Sequence, residues 1–289
     1  MINIIIPCTP NYENRNVINT INKGIDIVTQ FIVLYNSIKK NWKSFEYKIN
    51  LFHNKDYPFN DYDKSRLSKL EIDIYAVEAD YEHSPFAVKC GGISHKLKNS
   101  GTHRLYLDPD MIALNEPMFD LSCDWQAMYA GSSNLSIFNY INEKYGYNID
   151  CKKYDLTIRN PYKAYMQNKN EYKKLIPHFN GGAVLVKESL CGKLAELGLK
   201  SMGSCVDTNL SNNGRHMGPQ YGFAFSLVSL SENWKPFEPG FNYLLKISNP
   251  TSFGINNIKL VHYCGRGGDR IAKKIFKEEF EVYSKLMGS

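Results

Sequence analysis

The chain opens on an apolar run, Ile2 to Ile6, broken only by Asn3. A short run that is apolar on both faces predicts a buried strand of a parallel sheet. Pro7 ends it, and Pro7-Cys8-Thr9-Pro10-Asn11-Tyr12 follows as a loop at its carboxyl end. From about Asp26 to Asn41 the spacing turns helical, with Ile27, Phe31, Leu34, Tyr35 and Ile38 on one apolar stripe. Strand patterning returns at Tyr47 to Phe52 and again at Ile72 to Val77. This β-loop-α-β-α-β opening predicts a mostly parallel sheet with helices on both faces.

Further along, residues from about Pro85 to Lys98 read as a helix, weakened by Gly91 and Gly92. The segment leads into the apolar strand His103-Arg104-Leu105-Tyr106-Leu107, which stops abruptly at Asp108-Pro109-Asp110. Residues 120 to 177, rich in Tyr, Asn and Lys, read as helices and loops. Phe179 to Val186 is a strand that starts on a glycine-bearing turn, and Gln220 to Leu230 is a helix. A last short strand, Leu260 to Tyr263, precedes Gly265-Arg266-Gly267-Gly268, and a basic helix runs from about Arg270 to Met287. With no internal repeat or linker, the expectation is one α/β domain over 1–269 and a C-terminal helix over 270–289.

Composition narrows the classes. At 43% hydrophobic and 22% charged, the 289 residues make an ordinary globular chain. A net charge of +6 suits anionic substrates or a membrane surface, but lacks the concentrated basic face of a nucleic-acid binder. Seven cysteines stand singly, with no C-x-x-C pair, which argues against a disulfide framework and a zinc ribbon. The expectation is a reducing, cytoplasmic setting. The amino-terminal run reads as a strand rather than a signal peptide, and no apolar stretch approaches a membrane span.

The chemistry concentrates at Tyr106-Leu107-Asp108-Pro109-Asp110-Met111. In extended geometry residues i and i+2 face the same way, so Asp108 and Asp110 can converge on one ion. Open α/β sheets bind ligands at the carboxyl ends of their strands. Two adjacent acids repel unless a cation or proton sits between them. The same tripeptide is also good turn chemistry, so it could simply end a strand. His262, at the end of Lys259-Leu260-Val261-His262, is a candidate third ligand, and two carboxylates with one imidazole suit Mn²⁺ better than Mg²⁺. A hydrogen-bonded histidine at a strand end is the alternative. Beyond it, Gly265, Gly267 and Gly268 allow backbone amides near phosphate oxygens, and Arg266 and Arg270 carry the charge to neutralise them.

In this order the motifs resemble the GT-A glycosyltransferases, most closely the retaining family 8 group (glycogenin and bacterial lipopolysaccharide galactosyltransferases). The resemblance rests on six elements. They are the first strand with its Thr/Asn/Tyr loop, a basic helix before the D-x-D, the Y-L-D-x-D strand, an N-x-G strand start, a glutamine-bearing helix and a C-terminal H-x-x-G. It implies a GT-A, Rossmann-like fold and transfer of a hexose from a UDP-sugar to a hydroxyl of a glycan, lipid or protein. Pro7, Cys8 and Thr9 would line the nucleoside site, Tyr12 would stack on the base, and Lys89 would reach the donor diphosphate or sugar. Leu107 and Asp108 would contact the nucleotide, and Asp108, Asp110 and His262 would hold Mn²⁺ or Mg²⁺. Asn180, Gly181 and Gly182 would lie beside the transferred sugar, Gln220 near the anomeric carbon, and Gly265 and Arg266 at the diphosphate. Asn242, in Phe241-Asn242-Tyr243, matches an F/Y-N element of the family.

Three departures stand out. Pro219 replaces an acid before the glutamine, Gly267-Gly268-Asp269 replaces a Lys-Pro-Trp element, and residues 120 to 177 match nothing in the family. An inverting enzyme of the same fold, with Glu238 or Asp207 as base, and a non-catalytic nucleotide-sugar-binding protein are the alternatives. A sugar-nucleotide pyrophosphorylase would need a glycine- and arginine-rich loop after the first strand, and that loop is absent from the sequence. The C-terminal helix, with Arg270, Lys273, Lys274 and Lys277 near Ile271, Ile275 and Phe276, is either a peripheral membrane contact or a helix packed on the domain.

Overall fold

A computed structural model describes residues 1–9, 26–79, 86–131, 135–144, 146–206, 214–245 and 253–263, with positions 274, 277 and 281. Strand β1 (Ile2–Pro7) is buried along nearly its whole length, as its apolar run, interrupted only by Asn3, requires. It pairs in parallel with β2 (Tyr47–Asn54), Ile4 opposite Ile49 and Ile6 opposite Leu51. The connection between them contains helix α1 (Ile27–Asn41), whose first turn is capped when the Thr29 amide donates to the Asp26 carboxylate. Helix α2 (Asp61–Leu67) is capped in the same way by Asn60, and strand β3 (Asp73–Val77) adds in parallel to β2.

Helix α3 (Phe86–Ser94) precedes β4 (His103–Leu107), after which the chain bends at Pro109 and Asp110 into the three-residue strand β5 (Met111–Ala113). Then come β6 (Trp125–Tyr129), α4 (Leu135–Lys144), α5 (Pro161–Gln167) and β7 (Phe179–Lys187). Helices α6 (Cys191–Val206) and α7 (Gly214–Leu230) lead to β8 (Trp234–Pro236), β9 (Tyr243–Leu244) and β10 (Leu260–His262).

Seven strands form one sheet in the order β3-β2-β1-β4-β7-β6-β8, and three form a second in the order β5-β10-β9. The large sheet is mixed, with β6 antiparallel to β7 and parallel to β8. The expected α/β architecture is therefore present. Two compact units share the chain: Met1–Glu78, Tyr106–Met118 and Glu238–Ser289 make one, and Ala79–Leu105 with Phe119–Phe237 the other.

Where the structure departs from the sequence reading, the reason is physical. Strand β6 falls in the stretch read as helices and loops. All five of its residues are buried, so no alternation betrays it. Strands β5, β9 and β10 are too short to carry a period. Helix α3 stops at Ser94 rather than near Lys98, and α7 begins at Gly214, before Gln220. The predicted C-terminal helix lies outside the described residues except for the three positions named above.

Among the described residues, Cys8, Cys90, Cys123, Cys151 and Cys191 are free thiols. Burial pushes the Cys90 thiol up to about 12, and burial and then the nearby Asp63 and Asp26 carboxylates raise Cys8. Neither is a thiolate near neutrality, which removes them as nucleophiles. No helix among the described residues is long and apolar enough to cross a membrane.

Candidate active site

The acids at the end of β4 are brought together by the change of sheet. β4 ends at Leu107, the bend at Pro109 and Asp110 turns the chain, and β5 pairs antiparallel with β10. The register sets His262 opposite Met111, and the Tyr263 amide donates to the Asp110 carbonyl at 3.2 Å. The His262 imidazole is thereby held beside both carboxylates. Its Nε2 lies 3.3 Å from Asp110 Oδ1 and 3.8 Å from Asp108 Oδ2. One donor atom from each of the three residues lies within 4.8 Å of the others. The acids thus converge through a bend, where the sequence pattern had an extended strand.

Two neighbours orient this cluster. The Tyr106 hydroxyl, two residues back along β4 and buried, donates to Asp108 Oδ1. Asn242 is fully buried in the left-handed region at φ 56°, a conformation that asparagine tolerates. Its Oδ1 sits 2.9 Å from His262 Nδ1. With the amide oxygen toward the ring, Nδ1 carries the proton and donates it, so the Nε2 lone pair faces the two carboxylates. Lone pair against anion is repulsive, and the arrangement is stable only with a cation or a proton among the three groups. Upstream, Gly240 has φ 97°, and its carbonyl accepts the Lys259 and Leu260 amides at the start of β10. A Cβ at that position would lie 2.3 Å from the Asn257 carbonyl oxygen, so only glycine fits.

The donor set fits a divalent ion. Ligand atoms around a cation with bonds near 2.1 Å sit roughly 3 Å apart, close to the imidazole-to-carboxylate separations here. Two carboxylate oxygens and one imidazole nitrogen are a donor set that first-row divalent ions accept.

The second unit carries the other candidates. Lys89, on α3, is buried, lies over the Phe223 ring at 5.5 Å, and donates to the Gly181 carbonyl. Gly181 lies inside β7 rather than in a turn before it: pairing with β6 jumps from Asn180 to Val184, and the Gly182 amide donates to Asn180 Oδ1 at 2.9 Å, closing a tight side-chain turn within the strand. Lys89, Asn180, Gly181 and Gly182 therefore form one connected group.

The chain aligns with an active-site mutant of LgtC at a TM-score of 0.52 and 12% identity, covering 99% of this chain and 96% of that one. It aligns with the galactosyltransferase LgtC in complex with donor and acceptor sugar analogues at a TM-score of 0.52 and 11% identity, covering 97% and 95%. The chain has a GT-A fold. At this level of identity the fold is what is shared, and no protein-family model and no curated protein sequence matches the chain.

Within the GT-A fold the remaining candidates divide by position. Pro7, Cys8 and Thr9 close β1; the Cys8 amide donates to the Phe52 carbonyl, and the Thr9 hydroxyl accepts the Asn54 amide at 3.3 Å. Leu107 is fully buried at the end of β4. Gln220 lies on α7, though its side chain is outside the described ones, and Tyr12, Gly265 and Arg266 lie outside the described residues altogether. Sequence reasoning missed the Tyr106 hydroxyl and the link from Asn242 to His262. The i, i+2 spacing of Tyr106 and Asp108 was the available signal for the first; the second has no local signal, being 20 residues apart.

Proposed function

We propose that the chain is a metal-dependent glycosyltransferase that moves a hexose from a UDP-sugar to a hydroxyl acceptor with retention of configuration. The observation that carries this reading is the Asp108, Asp110 and His262 cluster at the carboxyl end of β4, in a fold shared with a galactosyltransferase. That relative was solved with donor and acceptor sugar analogues, which supports a nucleotide-sugar donor and a carbohydrate acceptor here.

In this reading Asp108, Asp110 and His262 hold Mn²⁺ or Mg²⁺, which supplies positive charge to the departing diphosphate. Asn242 keeps the imidazole in the tautomer that presents Nε2, and Tyr106 holds the Asp108 carboxylate in place. Lys89 fixes the Asn180-Gly181-Gly182 turn beside the transferred sugar. Gln220 steadies the oxocarbenium-like centre while the acceptor hydroxyl attacks from the leaving-group face. Pro7, Cys8, Thr9, Tyr12 and Leu107 line the nucleoside, and Gly265 and Arg266 meet the diphosphate. We place this work in one catalytic domain, residues 1–269, in the cytoplasm, with the basic segment 270–289 either packed on that domain or resting on an anionic membrane.

Incubation with Mn²⁺ and a panel of nucleotide sugars tests the proposal. Steady release of UDP from one donor is the expected result. Binding without release at any acceptor would leave a sugar-nucleotide-binding protein instead. The anomer of the product, read by NMR, decides retention against inversion.

A further inference from the structure

Arg104 is an unusual occupant of a buried strand: it sits inside β4, 4% exposed, among leucines and a tyrosine. All three of its nitrogens are engaged. Nε donates to Glu188 Oε2 at 2.8 Å and Nη2 to Glu188 Oε1, a bidentate pairing. Nη1 donates to the carbonyls of Gly92 (3.2 Å), Ile93 (2.6 Å) and His95 (2.7 Å), at the carboxyl end of α3. Carbonyls at a helix end have no partners within the helix, and the end carries partial negative charge, so a guanidinium there answers both needs. The Ser94 hydroxyl covers the Cys90 and Gly91 carbonyls. The last turn of α3 is thus closed by side chains.

That closure matters because α3 is weak by itself. It spans nine residues, below the length at which helices are stable alone, and holds two adjacent glycines, which weaken a helix relative to alanine. Its position depends on what it is tied to. Lys89 lies three residues before Gly92 and holds the Gly181 carbonyl at the start of β7. Glu188 follows Lys187, the last residue of the same strand. The connections therefore make a closed frame: the start of β7 to Lys89, through α3 to Arg104, and through Glu188 to the end of β7.

We propose that Arg104 is a positioning residue for the transfer reaction. Through α3 it sets where Lys89 holds the Asn180-Gly181-Gly182 turn. This inference rests on the role assigned to that turn above. Sub-ångström misplacement of groups around a reacting centre costs rate rather than binding when the ground-state contacts survive.

The test is a double-mutant cycle on the full chain, with UDP release from the turned-over donor as one readout and amide hydrogen exchange as the other. Arg104→Met is expected to lower kcat roughly tenfold or more while donor KM stays within about twofold. Added to Lys89→Met, it should slow turnover no further, because both act through one connection. Exchange of the Gly181 and Gly182 amides should quicken in Arg104→Met while that of β6 is unchanged. Multiplying fold-changes in the double mutant, or unaltered exchange at the turn, would overturn the inference. If Arg104→Met does not fold, Arg104→Lys, which keeps the charge and loses the fork, is read by the same two measurements, with the same outcomes deciding. Should the wild-type chain release no UDP from any donor, the function proposed above fails, and the exchange experiment still decides whether Arg104 governs the turn.

Discussion

Arg104 and His262 are both almost wholly buried, at 4% and 3% exposure, yet their surroundings balance charge in opposite ways. The guanidinium is met by a carboxylate and three carbonyls, so its charge is balanced within the fold and the unit is closed. The imidazole faces two carboxylates with a third acceptor, Asn242 Oδ1, behind it, so acceptors are in excess. A closed cluster stabilises the fold at the cost of being inert toward ligands. An acceptor-rich cluster is destabilising until a cation or a proton arrives. The two clusters therefore predict opposite responses to mutation.

The largest expected effect is on the open cluster. Replacing Asp108 and Asp110 with alanine should reduce UDP release at least about a thousandfold, near 4 kcal/mol of transition-state stabilisation. Thermal melting in chelator should not fall, because like-charge repulsion is removed; a melting point several degrees lower would mean that the acids are structural. The closed cluster should behave in the reverse sense. Arg104→Met leaves three helix-end carbonyls and the Glu188 carboxylate without their donor, and should cost about 3 kcal/mol in urea unfolding whether or not Mn²⁺ is present. A loss below about 1 kcal/mol would break the contrast.

Smaller effects sharpen it. Asn242→Ala frees the His262 ring, and Mn²⁺ affinity by calorimetry should drop roughly 10- to 100-fold, with Mn²⁺ protection against heat weakened in parallel. Unchanged affinity would show that the ring is fixed by strand pairing alone. The least is a pH effect. Burial lowers the His103 pKa below the ordinary histidine range. Just below about pH 6.5 the unfolded chain therefore takes up a proton that the native chain does not. Stability should be whole above that window and decline as pH falls through it. In His103→Gln that acid-side slope should become shallower, as followed by melting temperature between buffers; an identical slope would assign it elsewhere, with His95, also lowered by burial, the next residue to test.

The contrast also explains what the sequence disclosed. Ile2 to Ile6 and Leu105 to Leu107 announced their strands through short apolar runs, and the acids that end the second announced the site. His262 was legible because it closes a short apolar strand followed by glycines. What stayed hidden depends on pairing between distant segments. Nothing in Met111-Ile112-Ala113 shows that it leaves the large sheet for a smaller one, and this switch is what carries Asp110 to the imidazole. Arg104 carries no local sign of its partners, because Glu188 and the end of α3 come to it only through the fold. Lys89 was legible as a basic helix residue ahead of the acids, but its carbonyl partner 92 residues away was not.

The antiparallel pairing of β10 with β5 has a temporal side as well. A ribosome delivers both aspartates long before it delivers the histidine, which trails Asp110 by 152 positions (262 − 110). Until then a growing polypeptide holds the two acids without the imidazole that faces them. An ion that needs all three has nothing to seize on the nascent chain, and loading waits until synthesis has passed residue 262.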